Sequence, residues 1–172
     1  VCHIIEHSLL CGSKKYPLKE PFVNLLKSSL STFLNAFTAY DWTMYPFSSQ
    51  VPQDFDNILS IYLDAVFNPI SMVDKKPFLQ EGWHLELLNK EDLPVIKGVV
   101  YNEMKGATSS VDDVLESTVN EIMYKDTIYR HNSGGDPEVI PELTYEDYVS
   151  FYKEHYTPQN ALTFFYGDMD IE

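Results

Sequence analysis

Three features of the chain predict an α+β fold. Residues 54–67 carry an apolar stripe at helical spacing. Residues 32–48 are rich in Phe, Thr, Tyr and Trp and read as strands. Helical and strand-like segments also follow one another without the regular alternation of a doubly wound parallel sheet. The 172 residues amount to one domain in size, enough to bury a core. A hydrophobic content of 44% with 14% aromatics excludes a disordered tract. Twelve basic residues against 26 acids give a net charge of −14, which makes the chain a poor candidate for gripping nucleic acid phosphates. No apolar run approaches the ~20 residues of a membrane span.

The elements follow in order. His3 to Leu10 has helical character and stops at Cys11-Gly12-Ser13. A polar loop covers residues 13–20, and Pro21 suits the first turn of a helix running to Leu30. Thr32 to Ser48 has one interior turn signal, Ala39-Tyr40-Asp41, and reads as two strands or one bent hairpin. In the helix over 54–67, Phe55, Ile58, Leu59, Tyr62, Leu63 and Val66 recur at spacings of three and four, and Asn68-Pro69 ends it. Phe78 to Leu88 is mixed, and Val95 to Thr108 suits a strand or a helix. Asp112-Asp113 opens a helix through Tyr124, with acids at the end the dipole favours. Residues 129–143 form a loop. Thr144 caps a helix over 145–155, with Asp147 completing a box-like start. A strand is expected over 161–167. The chain opens at Val1 and stops at Glu172 with no closing element, so the expectation is an incomplete single domain belonging to a longer protein.

Cys2 and Cys11 lie nine residues apart. One straight helix between them rises ~13 Å, beyond disulfide reach, so two reduced thiols are expected. From Asp112 onward fourteen acids face three bases, a solvated acidic face or a field that gathers basic peptides.

The sharpest chemical feature is His3-Ile4-Ile5-Glu6-His7. On a helix the two His lie ~40° apart around the axis, so both imidazoles leave one face. A tetrahedral Zn²⁺ can take both at ~2.0–2.1 Å. Glu6 sits ~60° from His3 on the same side, within reach of a water at the metal without being a ligand. The order H-x-x-E-H reverses the H-E-x-x-H of other zinc peptidases. Five His and thirteen Glu give roughly a 1% expectation of this pattern by chance, so the motif needs company. A catalytic zinc also needs a third protein ligand. Glu103, an acid within an apolar segment, competes for that place with Glu81 and His84, and spacing does not choose among them. Elsewhere His84, His131 and His155 read as structural. Tyr145, Tyr148, Val149, Tyr152 and Tyr156 read as core packing. Ser133-Gly134-Gly135 lacks the lysine of a phosphate loop and reads as a plain turn.

The chain resembles the pitrilysin-type metallopeptidases (inverzincins), in the branch of presequence proteases and falcilysin-like enzymes. The resemblance runs through residues 3–13, Lys15-Tyr16-Pro17, residues 19–22, residues 32–38 and residues 80–84. It continues through residues 102–106, Ser133-Gly134-Gly135-Asp136-Pro137 and residues 165–168. It implies the LuxS/metallohydrolase-like fold, a mixed sheet packed by helices, with residues 1–172 as part of the N-terminal catalytic domain of a multi-domain enzyme. It implies Zn²⁺ as cofactor, held by His3, His7 and Glu103, the last 103 − 7 = 96 residues beyond the second His. Glu6 would be the general base. Asn35, Ala36 and Phe37 would belong to a strand that holds an extended peptide by main-chain pairing. The partners implied are peptide substrates and the remaining domains of the parent chain. A bacterial cytoplasm, a mitochondrion and a plastid all suit such an enzyme. Two other readings are a non-catalytic subunit of the same superfamily that has lost the metal, and an unrelated acidic binding module.

Overall fold

The computed structural model describes residues 1–19 and 21–168. Glu20, the last residue of the expected loop, lies outside them. Helix α1 spans Cys2–Leu9 and α2 spans Pro21–Ser28, two residues shorter than its apolar pattern suggested. Strands β1 (Ser31–Leu34), β2 (Phe37–Thr38), β3 (Thr43–Met44) and β4 (Phe47–Ser49) lead into α3 (Pro52–Phe67). Then come α4 (Lys76–Glu81), β5 (His84–Glu86), β6 (Val95–Lys97), α5 (Val99–Ala107), α6 (Val111–Met123) and α7 (Tyr145–His155). The mixture is α+β.

Residues 31–49 form one interrupted hairpin. β1 pairs with β4 and β2 with β3, both antiparallel. Asn35 N–H donates to Pro46 O at 3.1 Å between the two ladders, and Ala39 N–H donates to Trp42 O at 2.9 Å to close the tip. The turn falls at the signal read from Ala39-Tyr40-Asp41. A third antiparallel ladder joins β5 to β6. Among the described residues the strands make these three two-stranded ladders and no wider sheet.

The two segments of mixed pattern each contain two elements. Phe78 to Leu88 changes from α4 to β5 at Gly82, and Val95 to Thr108 changes from β6 to α5 at Gly98. Gly98 takes φ +153°, which side chains rarely adopt, and an added Cβ would collide with the Gly82 carbonyl. Only glycine lets the chain turn here and approach α4 so closely.

The core gathers around α1. Ile4, Ile5 and Leu9 pack with Phe78, Val100, Met104, Ile140, Tyr148 and Tyr152, and Ile5 and Leu9 are wholly inaccessible. Each such aliphatic side chain contributes about 1.5–3 kcal/mol by leaving water. The tyrosine stripe of α7 is part of this core, and the hydroxyls of Tyr145, Tyr148 and Tyr152 find partners. Tyr148 Oη donates to Ser71 Oγ at 2.7 Å and stands 2.6 Å from Ser8 Oγ. Tyr145 donates to Ser71 O and Tyr152 to Val66 O, each at 2.8 Å. Burial pushes the Tyr152 phenol up to about 12 and that of Tyr148 higher still. Ser110 and Thr144 cap α6 and α7 in capping boxes closed by Asp113 and Asp147. α6 therefore starts one residue before the acids that announced it.

The strand expected over 161–167 does not form. Its described residues join no ladder, and Leu162, Phe164 and Tyr166 are 95%, 81% and 89% exposed. Strand propensity is realised only against a neighbouring strand, and none among the described residues lies alongside. Phe165 alone reaches the body, against Phe55 at 6.4 Å between ring centres.

The burial pattern ranks two substitutions. Ile5→Ala lowers the unfolding free energy by about 2–5 kcal/mol, and Thr144→Ala by about 1 kcal/mol. Urea unfolding of the two variants checks the order; equal losses would remove Ile5 from the centre of the core.

Candidate metal centre

Helix α1 is two turns long and has two working faces. Ile4, Ile5, Ser8 and Leu9 occupy one side of it and are buried. Glu6, His3 and His7 occupy the other, spread over ~100° of the helix circumference. The core contacts thus hold the axis, and the axis aims the imidazoles. The two rings meet edge to face with centres 4.8 Å apart.

Helix α5 brings the carboxylate. Val100 and Met104 bury one side of α5, which leaves Glu103 on the flank toward α1. Glu103 Oε2 lies 3.7 Å from His3 Nε2 and 3.6 Å from His7 Nε2. One ligand atom from each of the three residues falls within 4.8 Å of the others. Two ligands at ~2.0–2.1 Å from a tetrahedral zinc stand ~3.3 Å apart, close to the spacing of this triad.

The remaining ring nitrogens are tied off. His3 Nδ1 donates to Gly134 O at 2.8 Å, and this fixes the tautomer that leaves Nε2 with its lone pair. His7 Nδ1 faces Glu81 Oε2 at 3.4 Å. Glu81 Oε1 accepts from Gln80 Nε2 at 2.9 Å and from the Cys11 thiol at 3.6 Å. Burial alone would push the His7 imidazole down. The hydrogen bond and charge of Glu81, with the charges of Glu103 and Glu6, outweigh it, and the net shift is upward. Glu81 shows the reverse balance: burial raises its carboxyl, and His7, Gln80 and Cys11 together bring it below the usual range. Both unbonded imidazole nitrogens and the one carboxylate oxygen therefore point at one place, a donor set of borderline and hard character that suits Zn²⁺.

Glu6 is 8% exposed and lies on the same face of α1, and its charge is felt by His7, Tyr45 and Tyr156. Of the rival third ligands, Glu81 takes the far nitrogen of His7, and His84 Nδ1 bonds to Leu79 O at 2.7 Å on β5. Neither joins the cluster. Asn35, Ala36 and Phe37 lie where the hairpin passes from β1 to β2, and β2 packs on α1. Asn35 O accepts from Tyr62 Oη at 3.2 Å, and Phe37 stacks on Phe33. His155 packs on Phe151, and His131 lines a cleft beside α6. Cys2 and Cys11 are not joined in a disulfide.

Sequence reasoning missed one contributor, Gly134. Its carbonyl, not a side chain, holds His3, so residue types carry no trace of the role. Gly134 N–H bonds to Asn132 Oδ1 at 2.9 Å, and an added Cβ would press on Met104 of α5. The turn read from Ser133-Gly134-Gly135 exists, and it is also a strut. No helix among the described residues is long and apolar enough to cross a membrane.

Comparison with known proteins places the chain in a family. Residues 1–133 match the family model described as insulinase, peptidase family M16. The chain is 54% identical over 172 residues to protein HypA of Clostridium perfringens, covering all of this chain and 18% of that protein. It is 51% identical over 168 residues to the chloroplastic and mitochondrial presequence protease 1 of Arabidopsis thaliana, covering 98% of this chain and 16% of that one. It is 49% identical over 175 residues to the mitochondrial presequence protease of Mus musculus, covering all of this chain and 17% of that one. The chain thus spans less than a fifth of the length of these relatives. With a family match over residues 1–133 and about half of all positions shared with presequence proteases, this chain belongs to the insulinase (M16) family of peptidases.

Proposed function

We propose that this chain is part of the N-terminal catalytic domain of a zinc-dependent endopeptidase that degrades unstructured peptides; its relatives named presequence proteases support the peptidase part of this reading. The observation that carries the reading is the convergence of His3 Nε2, His7 Nε2 and a Glu103 oxygen from two separate helices. A family peptidase that had lost its metal would have no need of all three. On this reading the three ladders are pieces of the family's larger mixed sheet. The remaining domains of the parent supply the rest of the substrate chamber.

In the mechanism, His3, His7 and Glu103 would hold the zinc. Bound there, it would supply Lewis acidity for water activation and for polarising the scissile carbonyl. Gly134 O and Glu81 orient the two imidazoles. Glu6 takes a proton from the attacking water at its carboxylate and returns it to the leaving amine. The neighbouring hairpin segment at Asn35, Ala36 and Phe37 holds the substrate extended through the main-chain groups left after the Asn35 N–H bonds to Pro46 O and the Ala36 N–H to Asn35 Oδ1. Recognition of that kind tolerates many side chains.

In the full-length parent, Glu6→Gln keeps zinc bound and lowers peptide turnover by about 10²–10⁴-fold; cleavage at the parental rate would remove Glu6 as the base. Metal analysis of Glu103→Gln shows a fall in zinc content, and a content equal to the parent's would take Glu103 out of the ligand set. The raised His7 value sets the pH dependence. Only neutral imidazole binds the metal, so zinc affinity weakens as pH falls through a value above the ordinary 6.5 of histidine. Chelator competition from pH 8 to pH 5.5 reads this, and a flat profile would contradict it.

A further inference from the structure

The buried carboxylate of Glu81 needs explanation. It ends α4, is 8% exposed as a residue, and has no Lys or Arg partner among the described residues. An uncompensated charge in such a place is costly, so it must answer to something specific. Its two oxygens have separate duties. Oε1 receives Gln80 Nε2 and the Cys11 thiol. Oε2 is left to His7 Nδ1. Close packing of α4 on α1 keeps this geometry: an added Cβ at Gly82, the next residue, would stand 3.1 Å from Ile4.

We propose that Glu81 is the positioning residue of His7. It fixes the ring so that Nε2 meets Glu103 at the metal, and it strengthens that nitrogen as a donor, without touching the metal itself. The proposal rests on the zinc reading above. The two imidazoles are served unequally. His3 leans on a backbone carbonyl at 2.8 Å, which no side-chain substitution removes. His7 leans on a carboxylate, whose negative charge makes the opposite nitrogen more basic. Glu81 cannot be a ligand in the same arrangement. It occupies one nitrogen of a ring whose other nitrogen faces the site, and so lies across the imidazole from it. Gln80 and Cys11 hold Glu81 in turn, so two residues of α4 and Cys11, just past the end of α1, serve one ring nitrogen.

The test uses the full-length parent with Glu81→Gln and Glu81→Leu, and zinc itself as the probe. Zinc affinity is measured by chelator competition, and the melting temperature of each metal-free protein is measured beside it. Loss of the carboxylate weakens zinc binding by about 10-fold in Glu81→Gln and up to about 100-fold in Glu81→Leu. The near-isosteric Gln variant keeps the metal-free melting temperature. Its cobalt-substituted form shows a changed visible spectrum, because the His7 donor has changed. Two variants that bind zinc as tightly as the parent overturn the positioning role while leaving the metal site standing. A weaker affinity that merely tracks a lowered metal-free melting temperature, with the cobalt spectrum unchanged, overturns it in favour of packing. A parent that binds no zinc overturns the metal reading, and this role with it.

Discussion

Everything in this molecule turns on the burial of an eight-residue helix. α1 is too short to be stable alone, since isolated helices of this length are marginal in water. Its side-chain caps are absent. What keeps it helical is the packing of Ile4, Ile5 and Leu9, reinforced by the hydroxyl contacts of Ser8 with Ile4 O and Tyr148. The same eight residues must present His3, Glu6 and His7 on the opposite side. The apolar core and the chemical site are therefore two faces of one rigid object, and a shift of its axis moves both.

The electrostatics follow from that economy. Three carboxylates surround two imidazoles, and each takes a different position. Glu103 faces both Nε2 atoms, Glu81 faces the far nitrogen of His7, and Glu6 lies along the helix beside them. In a chain of net charge −14 this is a local arrangement and not an effect of bulk composition, because the distances are those of direct contact. The carboxylates come from α1, α4 and α5, so their placement depends on the packing of those three helices.

Legibility in the sequence divided along physical lines. Local signals were readable: the apolar stripe of α3, the Thr144 cap of α7 and the turn at Ala39-Tyr40-Asp41. The two imidazoles and Glu6 were readable too, because a helix repeat sets their relative placement within four residues. Whatever depends on tertiary contact was not. Glu103, Glu81 and His84 were equivalent candidates until the resemblance favoured Glu103, and only the packing of α5 on α1 separates them in space. The abrupt changes at Gly82 and Gly98 were blurred into mixed segments because both sides carry apolar residues. The apolar run 161–167 has the composition of a strand, and composition says nothing of whether a partner is present.

The strut from Gly134 to His3 joins residues 131 positions apart. While a ribosome is still adding α6, the imidazole of His3 has no carbonyl to fix it, and the core lacks Ile140, Tyr148 and Tyr152 as well. Glu103 emerges earlier, when only Phe78, Val100 and Met104 of the core are there to hold α1. A nascent chain therefore carries His3, His7 and Glu103 for some time before it can bring them together. The order of synthesis itself delays the assembly of this cluster until the segment that steadies it has been made.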